Sequence, residues 1–266
     1  MAAPELRGLA RIERLLGANP LVAGLGAEVV RSAAAQARLR SVRLGEHIWR
    51  AGARAEHFQV VVAGMVKLVD PGLAMRPTLF DVFGPGEALG YWVAYDGGPY
   101  IGDATPLTAH VETLLIPAAV LREATARDHA ASLAMTSAAL AHARALRAKL
   151  AVMCAGNVHQ RLAALLLDLH RRFGAVAADG AWTIPVPLTR RDLSFAVGAT
   201  LETVIRAMSR WQKQGVLETH AAGFTLRSPA TLTAVRDDDA SVEGGGVPGP
   251  IDAAPRERRK HATVRE

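Results

Sequence analysis

The sequence predicts an α+β protein: an N-terminal antiparallel β-roll, one long helix, and a C-terminal helical unit closed by a β-hairpin. Three observations carry this expectation. Between Leu39 and Pro117, short apolar runs (SVRL, HIW, HFQVVVAG, MVKLV, TLFDVF, HVETLLIP) alternate with glycines at 45, 52, 64, 72, 84, 86, 90, 97, 98 and 102. Short strands punctuated by glycine turns form a small barrel or double-stranded β-helix-like roll. From Ala118 to Ala155 no glycine or proline intervenes and alanine dominates, so the stretch reads as continuous helix. Beyond it, Leu188–Leu217 holds two helix-length segments around Gly198, followed by the alternating runs VLETH and FTLRS.

Taken in order, the residues up to about 37 read as helix, with Leu6, Leu9, Ile12, Leu15 and Leu16 at helical spacing. The roll follows. The long helix places Leu133, Leu140, Leu146, Leu150 and Met153 among its apolar positions. A lone helix cannot bury such a face, so pairing with a second copy is expected. Gly156 is the first break after it and a candidate hinge. An amphipathic helix over Val158–Phe173, a strand over Trp182–Val186, two helices and a hairpin complete the C-terminal unit. The tail from Asp237, rich in Gly, Pro and charge, is expected to be disordered. The chain therefore divides into a roll with flanking helices (1–127), a dimerisation helix (128–155), a C-terminal domain (156–236) and a tail (237–266).

With 266 residues, half of them apolar, the chain can fill two cores. It contains no uncharged apolar run of about 18 residues, so no membrane helix is expected. Its opening, MAAPELRGLARIERLL, carries acidic residues and is unlike a secretory signal, which makes a cytoplasmic location the expectation. The one cysteine, Cys154, excludes an intramolecular disulfide and any four-thiolate metal site. The formal charge is +6 and the pI about 10.1. Residues 155–236 hold ten basic side chains against five acidic ones, while the last thirty hold seven acids against five bases. A basic excess gathered in one short domain points to a polyanionic partner.

The stretch LTRRDLSFAVGATLETVIRAMSRWQKQGVL shows how such a partner would be read. Thr189 and Asp192 form a capping-box pattern, Gly198 supplies a sharp turn, and Thr200 can cap the next helix. At about 100° per residue, with Glu202 at the origin, Ser209, Lys213, Arg206, Arg210 and Thr203 share one polar, mostly basic face. Trp211, Ala207, Val204, Met208, Leu201 and Ile205 form the opposite face, expected to be buried. Two helices about a tight glycine turn, followed by a hairpin, match a winged helix-turn-helix that enters the major groove of double-stranded DNA. Arg206 can donate two hydrogen bonds to a guanine edge and Glu202 can accept from a cytosine amine. Thr189, Arg190, Arg191, Thr200, Thr203, Arg210 and Lys213 are the candidate phosphate contacts.

These residues resemble the CRP/FNR superfamily of bacterial transcription regulators. VGATLETVIRAMSRWQKQGVLE is similar to that family's recognition helix, GEHIWRAGARAEHFQVVVAGMVKLV to the first strands of its cyclic-nucleotide-type roll, and VFGPGEALG to a later one. The resemblance implies a cytoplasmic homodimer on near-palindromic DNA, with RNA polymerase as a further partner and Glu202 and Arg206 as base readers. Leu201 stands where cyclic-AMP-responsive members place another base-reading Arg, so a shorter shared core is expected. The sensor pocket departs from the family pattern. Gly90-Tyr91-Trp92 replaces a Gly-Glu pair, and Tyr100-Ile101-Gly102 replaces the Arg-Ser/Thr-Ala segment that neutralises the cyclic phosphate. Cyclic AMP and cyclic GMP are therefore not the expected effectors. The cysteine cluster of the iron–sulfur members is absent as well, and haem stays open, with His47, His57, His110 and His142 as candidate ligands.

Two other readings compete. A metal-dependent barrel enzyme would place two close histidines and a carboxylate on the roll. No His-x-His occurs between Leu39 and Pro117, and no nucleophile-elbow or phosphate-loop motif is found, so no enzymatic activity is expected. A protein-interaction module would dock its basic helix on an acidic partner. The expectation is an effector other than a cyclic nucleotide, or none, with Tyr91, Trp92, Tyr95 and Tyr100 filling the pocket, and the residues do not say which.

Overall fold

A computed structural model describes residues 3–72, 76–154 and 156–238. The expectation for the tail falls, beyond Asp238, outside these residues. The chain opens with three helices, α1 (Ala3–Gly17), α2 (Pro20–Gly24) and α3 (Ala27–Gln36), rather than one. Asn19 caps α2 by accepting from the Val22 amide, with Pro20 at the first helical position. Gly26, at φ 99°, separates α2 from α3.

The roll comprises β1 (Arg38–Arg43), β2 (His57–Ala63), β3 (Val66–Asp70), β4 (Thr78–Phe83), β5 (Ala88–Leu89), β6 (Asp103–Pro106) and β7 (His110–Pro117). Its two antiparallel sheets run β1-β7-β2-β5 and β4-β3-β6. A short helix, α4 (Tyr91–Asp96), is inserted between β5 and β6. The HIW run is not a strand; Trp49 makes a single bridge to Ala104. Helices cover the outside of the first sheet, so β2 is buried on both faces rather than alternating, and Phe58, Val60 and Val61 are almost fully enclosed. Each such side chain contributes about 1.5–3 kcal/mol.

The expected continuous helix over Ala118–Ala155 is interrupted at Asp128. It divides into α5 (Ala119–Arg127) and α6 (His129–Cys154). Asp128 leaves the helical region (φ −129°, ψ 121°) and its carboxylate accepts from the Ala130 amide at 2.9 Å. Asp competes with the helix for local hydrogen bonds, and here it starts a new one. Leu133, Leu140, Leu146 and Leu150 of α6 are 45–61 % exposed, and α6 contains no acidic residue.

The C-terminal domain comprises α7 (Val158–Phe173), β8 (Ala175–Val176), β9 (Trp182–Ile184), α8 (Arg190–Val197), α9 (Leu201–Lys213), β10 (Leu217–His220), β11 (Gly223–Leu226) and α10 (Pro229–Asp237). Its sheet runs β10-β11-β9-β8. The core of this domain does not stop at its own boundary. Met65, Leu79, Val82 and Leu107 of the roll join the same apolar cluster as Leu166, Leu193, Met208 and Trp211. Gly84 makes the approach close, because a Cβ there would lie 3.0 Å from a Phe173 ring carbon.

Ionic contacts cross the same boundary at two places. Lys67 donates to Asp192 at 2.5 Å, with the Asp192 side chain 3 % exposed. Arg172 donates to Asp81 at 2.6 Å and to the Val82 carbonyl at 2.7 Å, and lies 3.3 Å from Glu87. The two neighbouring carboxylates outweigh burial and hold the Arg172 pKa above its ordinary value.

Candidate nucleic-acid interface

The interface is built from the caps outward. Thr189 and Asp192 close a complete capping box: the Asp192 amide donates to Thr189 Oγ1 at 3.1 Å, and the Thr189 amide donates to Asp192 Oδ2 at 3.0 Å. Lys67 takes the other carboxylate oxygen, so the start of α8 is tied to strand β3. Gly198 ends α8 at φ 61°, ψ 40°, the left-handed conformation that glycine adopts without penalty. Thr200 then caps α9 by accepting from the Thr203 amide at 3.2 Å.

On α9, Val204, Ala207, Met208 and Trp211 are buried, whereas Glu202, Arg206, Ser209, Arg210 and Lys213 are exposed. The Arg206 guanidinium donates to Glu202 one turn earlier at 2.5 Å. One part of the expected apolar face is corrected: Leu201 and Ile205 are each 43 % exposed. They sit at the edge of the apolar arc, beyond the reach of the α7 and α8 packing that encloses Val204 and Trp211. Two large apolar side chains therefore border Glu202 and Arg206.

The candidate phosphate contacts fall into two groups. Thr189, Arg190 and Arg191 gather at the start of α8, where Arg190 donates to Thr219 Oγ1 of β10 at 2.8 Å and Arg191 lies over the Phe195 ring. Thr200 and Thr203 share a hydroxyl contact of 2.8 Å at the start of α9, and Arg210 and Lys213 occupy its last turn. The hairpin is braced by Arg227, which pairs with Glu218 at 3.0 Å and Asp179 at 2.7 Å. The sequence offers no local signal for that brace, nor for Lys67–Asp192 and Arg172–Asp81, whose partners lie 125 and 91 residues apart.

The six expected sensor positions differ in their surroundings. Tyr100 stacks on Trp49 with ring centroids 4.2 Å apart and donates its hydroxyl to the His57 carbonyl at 2.5 Å. Burial pushes its pKa up to about 12. Trp49 in turn donates to the Gly102 carbonyl at 3.0 Å. A Cβ on Gly90 would lie 3.1 Å from both aromatic rings. Gly90, Tyr100 and Gly102 thus belong to a packed roll interior, and Ile101 is 57 % exposed. Trp92 contacts Tyr91 and, across to α6, His142, with centroid separations of 4.7 and 4.9 Å. The remaining haem candidates lie on other elements: His47 is 3.8 Å from Asp103, His57 begins β2, and His110 begins β7 beside Ser41.

A sensor-type roll, a long helix with an unpaired leucine face and a winged helix-turn-helix define a transcription regulator with separate regulatory and DNA-reading parts. Residues 39–128 match the cyclic nucleotide-binding domain and residues 160–235 the Crp-like helix-turn-helix domain. The chain belongs to the CRP/FNR superfamily and is a transcription regulator of that type. It is 27 % identical over 171 residues to the CRP-like cAMP-activated global transcriptional regulator of Mycobacterium tuberculosis, a match covering 64 % of this chain and 75 % of that protein. It is 33 % identical over 86 residues to the fumarate and nitrate reduction regulatory protein of Salmonella typhimurium, covering 32 % of this chain and 34 % of that one. The structure of FixK2 from Bradyrhizobium japonicum superposes with a TM-score of 0.62 at 27 % identity, covering 77 % of this chain and 99 % of that chain. DNA binding and dimerisation are typical of the family. Among the described residues, no helix is long and apolar enough to cross a membrane.

Proposed function

We propose that this regulator binds near-palindromic duplex DNA as a homodimer, with α9 in the major groove and Glu202 and Arg206 reading base edges. The observation that carries the reading is the exposed Glu202–Arg206 pair on a helix anchored from behind by Val204, Met208 and Trp211. The pair presents the guanidinium in an ordered rotamer, ready for a guanine edge. Leu201 and Ile205 lie where apolar side chains meet thymine methyls. Thr189, Arg190, Arg191, Thr200, Thr203, Arg210 and Lys213 position the duplex through its phosphates. The two α9 helices of a dimer read half-sites about 10–10.5 bp apart, or a multiple of that.

The relatives are transcription regulators rather than enzymes, and the reading here is likewise non-enzymatic. It places the chain in the cytoplasm, with RNA polymerase as a further partner. The Mycobacterium relative is named as cAMP-activated, but this roll holds the Trp49–Tyr100 stack where the sequence locates the sensor pocket. No cation among Tyr100, Ile101 and Gly102 is available for a cyclic phosphate, so the regulator takes an effector of another kind or none.

Mobility shifts with Arg206→Ala test the base-reading role. The substitution should cost about 1–3 kcal/mol on the cognate site and relax specificity at one base pair. An equal loss on cognate and scrambled duplexes refutes the assignment. Arg210→Ala should instead weaken binding to all sequences and reduce the salt slope by about one.

A further inference from the structure

The exposed residues of α6 fall into one register. Leu133, Leu140, Arg147 and Cys154 recur every seven residues, Thr136, Ala143 and Leu150 follow three places after the first three of them, and all are exposed. The other side of the helix packs on its own chain: Ala131 and Met135 are buried, and Ala134, Ala138, Lys149 and Val152 are partly covered. Spacings that alternate between three and four are those of the seam of a two-stranded coiled coil.

In a dimer whose two DNA-reading domains face one duplex, the two α6 helices run parallel, and each seam residue meets its own copy across the two-fold axis. Leu133 and Leu140 meet leucines, whereas Arg147 meets a second guanidinium. Arg144, one turn earlier, flanks the seam at the same level and is exposed as well. No acidic residue stands on α6 to neutralise either one, and among the described residues neither guanidinium is hydrogen-bonded or ion-paired. Four guanidinium groups thus gather between the apolar levels of Leu140 and Leu150. Removed from bulk water they repel one another more strongly, and each presents the paired donors that match an oxyanion.

Resting on the homodimer reading above, we infer that this level of the seam is a shared site for one compact polyvalent oxyanion of the pyrophosphate kind, held by Arg144 and Arg147 of both copies. Neither chain holds the site alone. The anion replaces a repulsion with charge-assisted hydrogen bonds, so the dimer binds it and the monomer does not. Its presence raises the share of chains able to span two half-sites.

Pyrophosphate is the probe, added to the full-length protein, with sodium chloride at equal ionic strength as the control so that general screening is the same in both. Sedimentation equilibrium should give a dimer dissociation constant at least about tenfold lower in saturating pyrophosphate than in chloride, as for any ligand taken up by the dimer alone. Titration calorimetry should count one anion per two chains. Arg147→Leu, which continues the leucine spacing, should dimerise more tightly than the wild type in chloride and lose the response to pyrophosphate. Its tighter association also shows that it folds. Arg147→Lys should keep a weaker response. Equal dissociation constants in the two salts, one anion per chain, or a response that survives Arg147→Leu overturns the site. A wild type that dimerises equally well in both salts strikes the site alone, whereas one that stays monomeric in both strikes the homodimer reading and the site with it.

Discussion

Gly198 separates two demands on a single residue, backbone conformation and space. Its φ of 61° is costly for any residue with a Cβ, yet a Cβ there would meet nothing closer than 3.9 Å. Gly198→Ala should therefore destabilise by about 1–2 kcal/mol through the backbone alone, and Gly198→Asn by less, as chemical denaturation would show. This position was legible in the sequence because a left-handed turn needs glycine whatever surrounds it. Thr189, Asp192 and Thr200 were legible for a similar reason: a cap is a local pattern over three residues. Leu201 and Ile205 were not, since a helical wheel shows which residues share a side but not how far the neighbouring elements reach. The surroundings of the expected sensor residues were not legible either. Trp49, which fills the space beside Gly90 and Tyr100, lies about forty to fifty residues earlier in the chain.

At the level of elements, the chain order was readable and the contacts between elements were not. The roll, the long helical region and the winged domain follow from periodicity and glycine spacing. Strand β6, four residues long, and helix α10 gave too little pattern to be seen. The ionic ties from β3 to α8 and from β4 to α7 pair residues that nothing in the local sequence relates. Lys67→Met would leave the Asp192 carboxylate buried beside an apolar chain at the start of α8. It should cost about 3 kcal/mol, and it should weaken DNA binding by loosening the helix-turn-helix. Denaturation midpoints and mobility shifts measure the two effects, and Lys67→Arg should recover part of both. For α6, Leu140→Lys with Leu150→Lys should turn a dimer into a monomer by sedimentation equilibrium, because the added ammonium groups join Arg147 in a seam whose helix carries no carboxylate to meet them.

Across the whole molecule, acid should loosen the fold through two histidines. His142 and His159 are both held below the ordinary 6.5, burial being the larger cause, with Asp81 opposing it at His142 and Arg210 adding to it at His159. The unfolded chain then binds protons first as the pH falls. This stability is complete above about pH 6.5 and is lost as the pH drops through the lowered folded-state values. Thermal midpoints measured from pH 7.5 to 5.5 should fall, and less steeply in His142→Gln/His159→Gln. The acid-free composition of α6 has an opposite kind of consequence. Arg147 lies seven residues beyond Leu140, so in a parallel pair two guanidinium groups come abreast with no carboxylate on either helix to separate them. Added electrolyte relieves that repulsion and tightens self-association, while the same electrolyte weakens attachment to phosphates. Near the dissociation constant of the dimer, operator occupancy should thus rise and then fall with ionic strength, giving the regulator an optimum salinity rather than a monotonic decline.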